Sequence, residues 1–279
     1  MSRRRQHVPW RAAGSSTEQE SSADEVVRET GWVFNNRGDH MTLQEFVRTG
    51  DLETIAYLEA FGLAERGTGG ADLAGLSFVE IGSGIGRMTA SFTRLFDKVV
   101  ACDLDAAFLE RCRETVAQFG RADHLQTVHV ADGVTLGLPD RSVDMVFSYI
   151  TLQHCHHDDA LALTREAVRI AKPGARIALN YRTWVPVDLL LWPAGALVRA
   201  VWRLPRIGPV IARQRITTRL GWQANRLSPK EVVPVVGSKL TDVRLYRAPK
   251  RRPFGLPATA DDTFSGVDRS HWWLVATVR

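Results

Sequence analysis

Phe78-Val79-Glu80-Ile81-Gly82-Ser83-Gly84-Ile85-Gly86-Arg87-Met88-Thr89 is a short apolar run carrying one acid, followed by glycine at three alternate positions. Without a Cβ, glycine lets the backbone turn sharply and approach a ligand closely, and the helix that follows offers unpaired N–H groups at its start. The stretch therefore reads as a strand turning into a helix, with a nucleotide-type ligand on the turn. Beyond a helix-like segment from Met88 to Phe96, Lys98-Val99-Val100-Ala101-Cys102 reads as the next strand and ends in Asp103. An acid at the tip of the neighbouring strand can accept hydrogen bonds from both hydroxyls of a ribose. A dinucleotide pattern starting at Gly82 would need glycine at position 87, which is Arg87.

The pattern is E-x-G-x-G-x-G instead, and with it the chain resembles the class I S-adenosylmethionine-dependent methyltransferases. Four later stretches stand where that family would place them: Val128-His129-Val130-Ala131-Asp132-Gly133, Val143-Asp144-Met145-Val146-Phe147-Ser148-Tyr149, Arg169-Ile170-Ala171-Lys172-Pro173-Gly174 and the terminal His271-Trp272-Trp273-Leu274-Val275-Ala276. The resemblance implies S-adenosylmethionine as cofactor, held by Glu80, Gly82, Gly84, Gly86, Asp103, Leu104, Asp132, Gly133 and Tyr149. Asp132 would accept from the exocyclic amine of the adenine, Gly133 would allow close approach, Leu104 would pack on the base, and Tyr149 would lie near the methionine end.

Strand and helix patterns alternate, with strands expected near Ser77–Ile81, Val99–Cys102, Thr127–Val130, Met145–Ser148, Ile177–Tyr181, Asp242–Tyr246 and Trp272–Val278. Such alternation argues for an α/β fold with a parallel sheet between helices. The family's form of it is a Rossmann-like, mostly parallel seven-stranded sheet whose last strand is antiparallel, with helices on both faces. Residues 1–25 read as a disordered tail rich in Ser and Glu, and 26–75 as a helical cover. Within the cover Thr42-Leu43-Gln44-Glu45 has the form of a capping box, Asp51 can cap a second helix, and Trp32, His40 and Thr49-Gly50 are contact candidates. Residues 76–182 form the expected cofactor core and 228–279 its C-terminal part, which opens on the capping box Ser228-Pro229-Lys230-Glu231.

Residues 183–227 interrupt the alternation where a short connection is usual, so a lid insertion is expected there, at the carboxyl ends of the strands. Ala194, Leu197, Val198 and Val201 fall on one helical face, with Arg199 and Arg203 on another and Trp192 and Trp202 beside them. Three readings stay open for it: a face packed on the domain, a lid over a hydrophobic acceptor, or a helix in a membrane interface with its arginines among anionic headgroups.

Charge is unevenly spread. Residues 176–252 hold 16 Lys/Arg against three acids, a net +13, while the rest of the chain carries 20 basic and 28 acidic residues. A basic last third fits an anionic acceptor or an anionic surface. Apolar content of 44% and charged content of 24% are those of a globular protein, and no run is long enough to span a bilayer. Cys102, Cys112 and Cys155 are too scattered for a disulfide framework or a C-x-x-C metal site, and the N-terminus lacks the apolar core of a signal peptide. A reducing, cytoplasmic setting follows, with peripheral membrane contact through 183–227 as an open addition.

Methyl transfer from a sulfonium is an in-line displacement, so the protein must hold donor and nucleophile in line within a water-poor pocket. A hydroxyl acceptor also needs a base, and the candidates lie in Thr151-Leu152-Gln153-His154-Cys155-His156-His157. His154 and His157 are the catalytic candidates, His154 being equally readable as a pocket-shaping residue and His157 as a surface residue at a helix start. No metal is expected, because adjacent histidines on a helix diverge. Tyr181 and Arg182 are further pocket candidates. The expected activity is methylation, O-methylation foremost, of a hydrophobic or acidic small molecule or lipid. A nucleic-acid methyltransferase and a non-catalytic, membrane-docking binder of S-adenosylmethionine are the alternatives. Against the former, Ser148-Tyr149-Ile150-Thr151 lacks the acid-Pro-Pro-Tyr/Phe sequence usual after the fourth strand of base-amine methyltransferases.

Overall fold

Apolar and β-branched runs build seven strands: β1 (Ser77–Ile81), β2 (Lys98–Asp103), β3 (Leu125–His129), β4 (Val143–Ser148), β5 (Ala171–Arg182), β6 (Leu240–Arg247) and β7 (His271–Val278). The computed structural model describes residues 22–30, 41–212, 217, 220–221, 225–247 and 270–279. The strands form one sheet in the order β3-β2-β1-β4-β5-β7-β6, with β7 antiparallel to both of its neighbours. Pairing is parallel from β3 through β5. The strand order reverses between β1 and β4, and a crevice at the carboxyl ends of the strands is where open α/β sheets place ligands.

Eight helices are defined among the described residues: α1 (Ala23–Thr30), α2 (Leu43–Ala60), α3 (Thr89–Leu95), α4 (Ala106–Phe119), α5 (His157–Ile170), α6 (Asp188–Val201), α7 (Gly208–Ala212) and α8 (Pro229–Val236). Because successive strand residues point to opposite faces, Trp272 and Trp273 divide the core between them. Trp272 joins Leu163, Ala167, Tyr181, Val232 and Val236 under α5 and α8. Trp273 joins an aromatic layer of Tyr57, Phe61, Phe78, Phe92, Phe96 and Phe147 under α2 and α3. A third cluster seats α1 and α2 on α4 through Val26, Val27, Phe46, Val47, Phe108 and Val116.

Three boundaries differ from expectation. The first ordered helix starts at Ala23, inside the expected tail, because Ser22 and Glu25 cap each other reciprocally and Val26 and Val27 are buried; residues 1–21 lie outside the described residues. Thr42 and Glu45 form the expected capping box, but α2 runs on through Asp51 as one helix, with Asp51 paired to Arg94 of α3 instead of capping. β5 begins six residues early, at Ala171 opposite Val143, and resumes at Arg176 opposite Met145 after an irregular stretch. Trp32 and His40 lie outside the described residues.

The aromatic layer sets much of the stability. Phe92 is fully buried, its ring 4.2 Å from Phe78 and 5.3 Å from Phe147. Phe92→Ala is expected to cost about 3–5 kcal/mol through lost transfer energy and the cavity left behind, read as a lower urea midpoint at unchanged slope.

Candidate cofactor and acceptor site

The turn after β1 is built by close backbone approach. A Cβ on Gly82 (φ +81°) would stand 2.1 Å from the side chain of Thr151, which follows β4, so only glycine lets the two strand ends meet. A Cβ on Gly86 would press on Cys112 of α4, whereas one on Gly84 would enter open space on the ligand side. The Gly84 N–H donates to Asp103 Oδ2 at 2.8 Å and the Asp105 N–H to Oδ1 at 2.9 Å, which fixes the carboxylate at the tip of β2. Burial pushes the Asp103 carboxyl up to about 6 despite these bonds. The Leu104 amide also favours its charged form, and the lone pairs that remain of its roughly four acceptor positions have capacity for a ribose hydroxyl.

Glu80 is buried beneath the turn and accepts from the Thr89 hydroxyl at 2.6 Å. Burial pushes it up to about 8, against that hydrogen bond and the pull of Arg87. A cation arriving here would stabilise its charged form. The open side of Gly84, the available face of Asp103 and this buried acid together fit S-adenosylmethionine, which carries a ribose, an ammonium and a sulfonium.

Other expected contacts are placed less simply. Leu104 is half-buried, and its carbonyl oxygen lies 3.0 Å from His129 Nε2, tying the ends of β2 and β3. Asp132 is exposed and engaged by its own loop, accepting from Val134 N–H, Thr135 N–H and the Thr135 hydroxyl. Gly133 (φ +76°) follows it in the turn. The Tyr149 ring stacks on Trp273 at 5.5 Å, and the Tyr149 hydroxyl lies 3.1 Å from that of Tyr57.

Arg87, Ile150 and Asn180, which sequence reasoning did not select, complete the rim together with the expected Thr49-Gly50. Arg87 pairs with Glu53 at 2.7 Å, donates to Thr49 and lies 5.7 Å over the Tyr149 ring, so α2 is clamped across the glycine turn. Gly50 permits that seating, since a Cβ there would stand 2.2 Å from the Arg87 carbonyl oxygen. Ile150, a β-branched residue with φ +50°, follows β4, and its N–H is held by buried Asn180 at 3.3 Å. A bulky side chain in the left-handed region is strained, and such strain gathers at functional rims. Arg87 was visible only as a departure from the dinucleotide pattern; Asn180 gave no local signal.

The two histidine candidates part company. His157 is exposed on α5 and bridges Asp158 (3.0 Å) and Glu231 of α8 (3.3 Å), so the expectation of a catalytic His157 is corrected: its ring is committed to a surface link between two helices. Those two carboxylates raise its pKa. His154 is half-buried beside the crevice, at the end of a hydrogen-bonded chain. Arg182 donates to Ser270 Oγ (2.6 Å), Ser270 lies 3.4 Å from His271 Nδ1, His271 Nε2 lies 2.6 Å from Gln153 Oε1, and Gln153 Nε2 lies 3.3 Å from His154 Nε2. The Gln153 amide oxygen can only accept, so His271 Nε2–H donates to it, and the Gln153 amide N–H donates to the His154 Nε2 lone pair. Tyr181 is a core residue, stacked on Trp272 at 4.7 Å with its hydroxyl 2.8 Å from that of Thr164. Among the described residues no three His, Cys, Asp or Glu side chains cluster as a metal site would require.

Beneath α6, Asp188 is fully buried and takes Arg182 (2.9 Å) and Arg226 (2.8 Å) on one oxygen and the Val185 N–H (3.0 Å) on the other. Burial would raise its pKa, but the two arginines and the amide outweigh it and hold the carboxyl below its usual value.

Residues 79–179 match a family model described as a methyltransferase domain. The chain is 33% identical over 161 residues to the ubiquinone/menaquinone biosynthesis C-methyltransferase UbiE of Hahella chejuensis, covering 57% of this chain and 63% of that protein. It is 31% identical over 117 residues to the malonyl-[acyl-carrier protein] O-methyltransferase of Yersinia pestis, covering 40% and 38%. The chain thus spans less than two thirds of the length of these relatives. Among solved structures, magnesium protoporphyrin IX methyltransferase (ChlM) of Synechocystis PCC 6803 with bound SAH aligns with a TM-score of 0.56 at 16% identity, over 92% of this chain and 97% of that one. At that identity the likeness is one of fold.

Ribose hydroxyls bound to Asp103 would hydrogen-bond its ionised form, so binding is expected to drive off a proton wherever the free carboxyl is protonated. Affinity for S-adenosylhomocysteine should be full above about pH 6 and fall as pH drops through the free-state value of about 6. Asp103→Asn should lose that dependence, and Asp103→Ala should weaken binding by about 1.5–3 kcal/mol. Calorimetric titration across pH checks both, with His157→Ala expected to match the parent protein.

Proposed function

From the premise that residues 79–179 are a class I S-adenosylmethionine-dependent methyltransferase domain, we propose that this protein methylates a carboxylate oxygen on a hydrophobic small-molecule acceptor. S-adenosylmethionine, when bound, supplies an electrophilic methyl on a positively charged sulfur. Asp103 would hold its ribose, the Gly82–Gly86 turn would admit it, and Glu80 would answer its positive charge.

The observation that carries the choice of acceptor is the poverty of bases around the crevice among the described residues. A hydroxyl nucleophile must lose a proton near neutral pH, whereas a carboxylate is already ionised. Burial pushes the thiol of Cys155 and the phenol of Tyr149 each up to about 12 and raises Tyr57 well above its usual value, so their basic forms are scarce at neutral pH. His154 receives the Gln153 amide on Nε2 and serves to shape the pocket and not to take a proton. Glu80 is bound to Thr89, and Asp103 is committed to the ribose.

Electrostatics favour the same acceptor. Attack by an anion on a sulfonium annihilates charge, and a water-poor pocket disfavours the separated charges more than the neutralising transition state. The rim at the end of β5 is cationic, with buried Arg182 and Arg226 sharing the single carboxylate of Asp188. One of the relatives is by name an O-methyltransferase for malonyl-[acyl-carrier protein], which accords with an acid acceptor.

Incubation with methyl-labelled S-adenosylmethionine and a cell extract is expected to label the organic-extractable or small-molecule fraction. Mild alkali should then release the label as volatile methanol, because methyl esters hydrolyse there and methyl ethers, amines and C-methyl groups do not. Alkali-stable label would refute the carboxylate assignment, and label confined to nucleic acid or protein would refute the small-molecule reading.

A further inference from the structure

Asp188 settles which way α6 faces. Asp188, Gly195 and Trp202, spaced seven residues apart, form the inward line of the helix, with Gly195 against the Leu220 carbonyl oxygen and Trp202 over Gly221. The sequence left open whether the face carrying Leu197 packs on the domain, and Leu197 is 68% exposed, with Leu189 (75%) and Leu190 (76%) exposed as well. At 3.6 residues per turn Leu189, Leu190, Pro193 and Leu197 share one outer face. Ile207 and Val210 extend the apolar surface beyond the helix, and nine of the twelve large exposed hydrophobic side chains among the described residues lie between 184 and 210. Solvent-facing apolar surface on this scale marks an interaction site.

Charge identifies the occupant. From 184 to 212 the only acid is Asp188, which is buried on two arginines, while Arg203 and Arg206 are exposed beside the leucines. This stretch therefore presents apolar and cationic groups and no exposed carboxylate. Trp184 and Trp192, half-exposed with ring centroids 6.0 Å apart, sit at its edge, as indoles do at a lipid–water boundary. No helix among the described residues is long and apolar enough to cross a membrane. We propose that the outer face of α6 and the segment through 210 docks on a membrane surface bearing anionic headgroups, with the leucines in the acyl boundary and Arg203 and Arg206 at the phosphates. The inner side of the same helix is tied through Asp188 to Arg182 at the end of β5, so docking brings the mouth of the crevice to the lipid surface. Docking needs only this outer face and is independent of which acid is methylated.

The test is co-sedimentation of the full chain with vesicles of phosphatidylcholine alone or of phosphatidylcholine and phosphatidylglycerol in equal parts, at low and high salt. The protein should pellet with the anionic vesicles, less so at high salt, and not with phosphatidylcholine. Leu189→Ser/Leu190→Ser should lower partitioning at least about tenfold and Arg203→Gln/Arg206→Gln about tenfold, with S-adenosylhomocysteine affinity retained as the check on folding. Protein left in the supernatant with both vesicles, or equal binding to both, overturns the proposal. So does a concentration-dependent dimer, abolished by the leucine substitutions, that ignores vesicles. A protein that forms an alkali-labile product yet ignores vesicles loses the docking surface alone.

Discussion

The site depends on charge held out of water before any ligand is present. Gly84 donates its N–H to Asp103, so the turn after β1 and the tip of β2 are one hydrogen-bonded unit and not two loops that happen to be adjacent. Beneath it lies Glu80, and across it Arg87, paired with Glu53. Burial raises both acids, Asp103 to about 6 and Glu80 to about 8, so ionising them costs energy that a cationic ligand would offset. Close backbone approach makes this arrangement feasible: Gly82 against Thr151 and Gly50 against Arg87 each leave no room for a methyl group.

A second buried charge governs the insertion. Breaking a buried ion pair leaves an uncompensated charge, so Asp188 resists leaving Arg182 and Arg226. Their placement at the end of β5 and just before Leu227 pins both ends of the segment from 183 to 227 to the sheet. With the ends fixed and Gly195 drawn against Leu220, the leucines of α6 have only the outer side left to occupy.

What was legible in the sequence follows from this division between local and long-range causes. The glycine turn, the strand β1, the capping boxes at Thr42 and Ser228 and the antiparallel last strand are written in short windows or in a family pattern, and each stands as expected. The facing of α6 was left open by its apolar pattern, because a buried acid, a glycine and a tryptophan make the inward contact. Asp51 looked like a cap because its partner, Arg94, lies in another helix. His157 looked catalytic by proximity in sequence to His154, yet the extended Cys155 and His156 carry it to the start of α5, beside Glu231 of α8. The network from Arg182 to His154 spans residues 153 to 271 and has no local signature at all.

That network gives the clearest link between fold and chemistry. Arg182 belongs both to the ion cluster under α6 and to the chain of hydrogen bonds that ends on His154. Arg182 donates to Ser270, while at the other end of the network the Gln153 amide oxygen faces His271 Nε2 and its N–H donates to the His154 Nε2 lone pair. The side chain that helps seat the insertion thus stands at one end of a network whose other end lies at His154. A His154 placed in this way would hold an acceptor in line and not remove its proton, which accords with the proposed nucleophile that arrives already ionised.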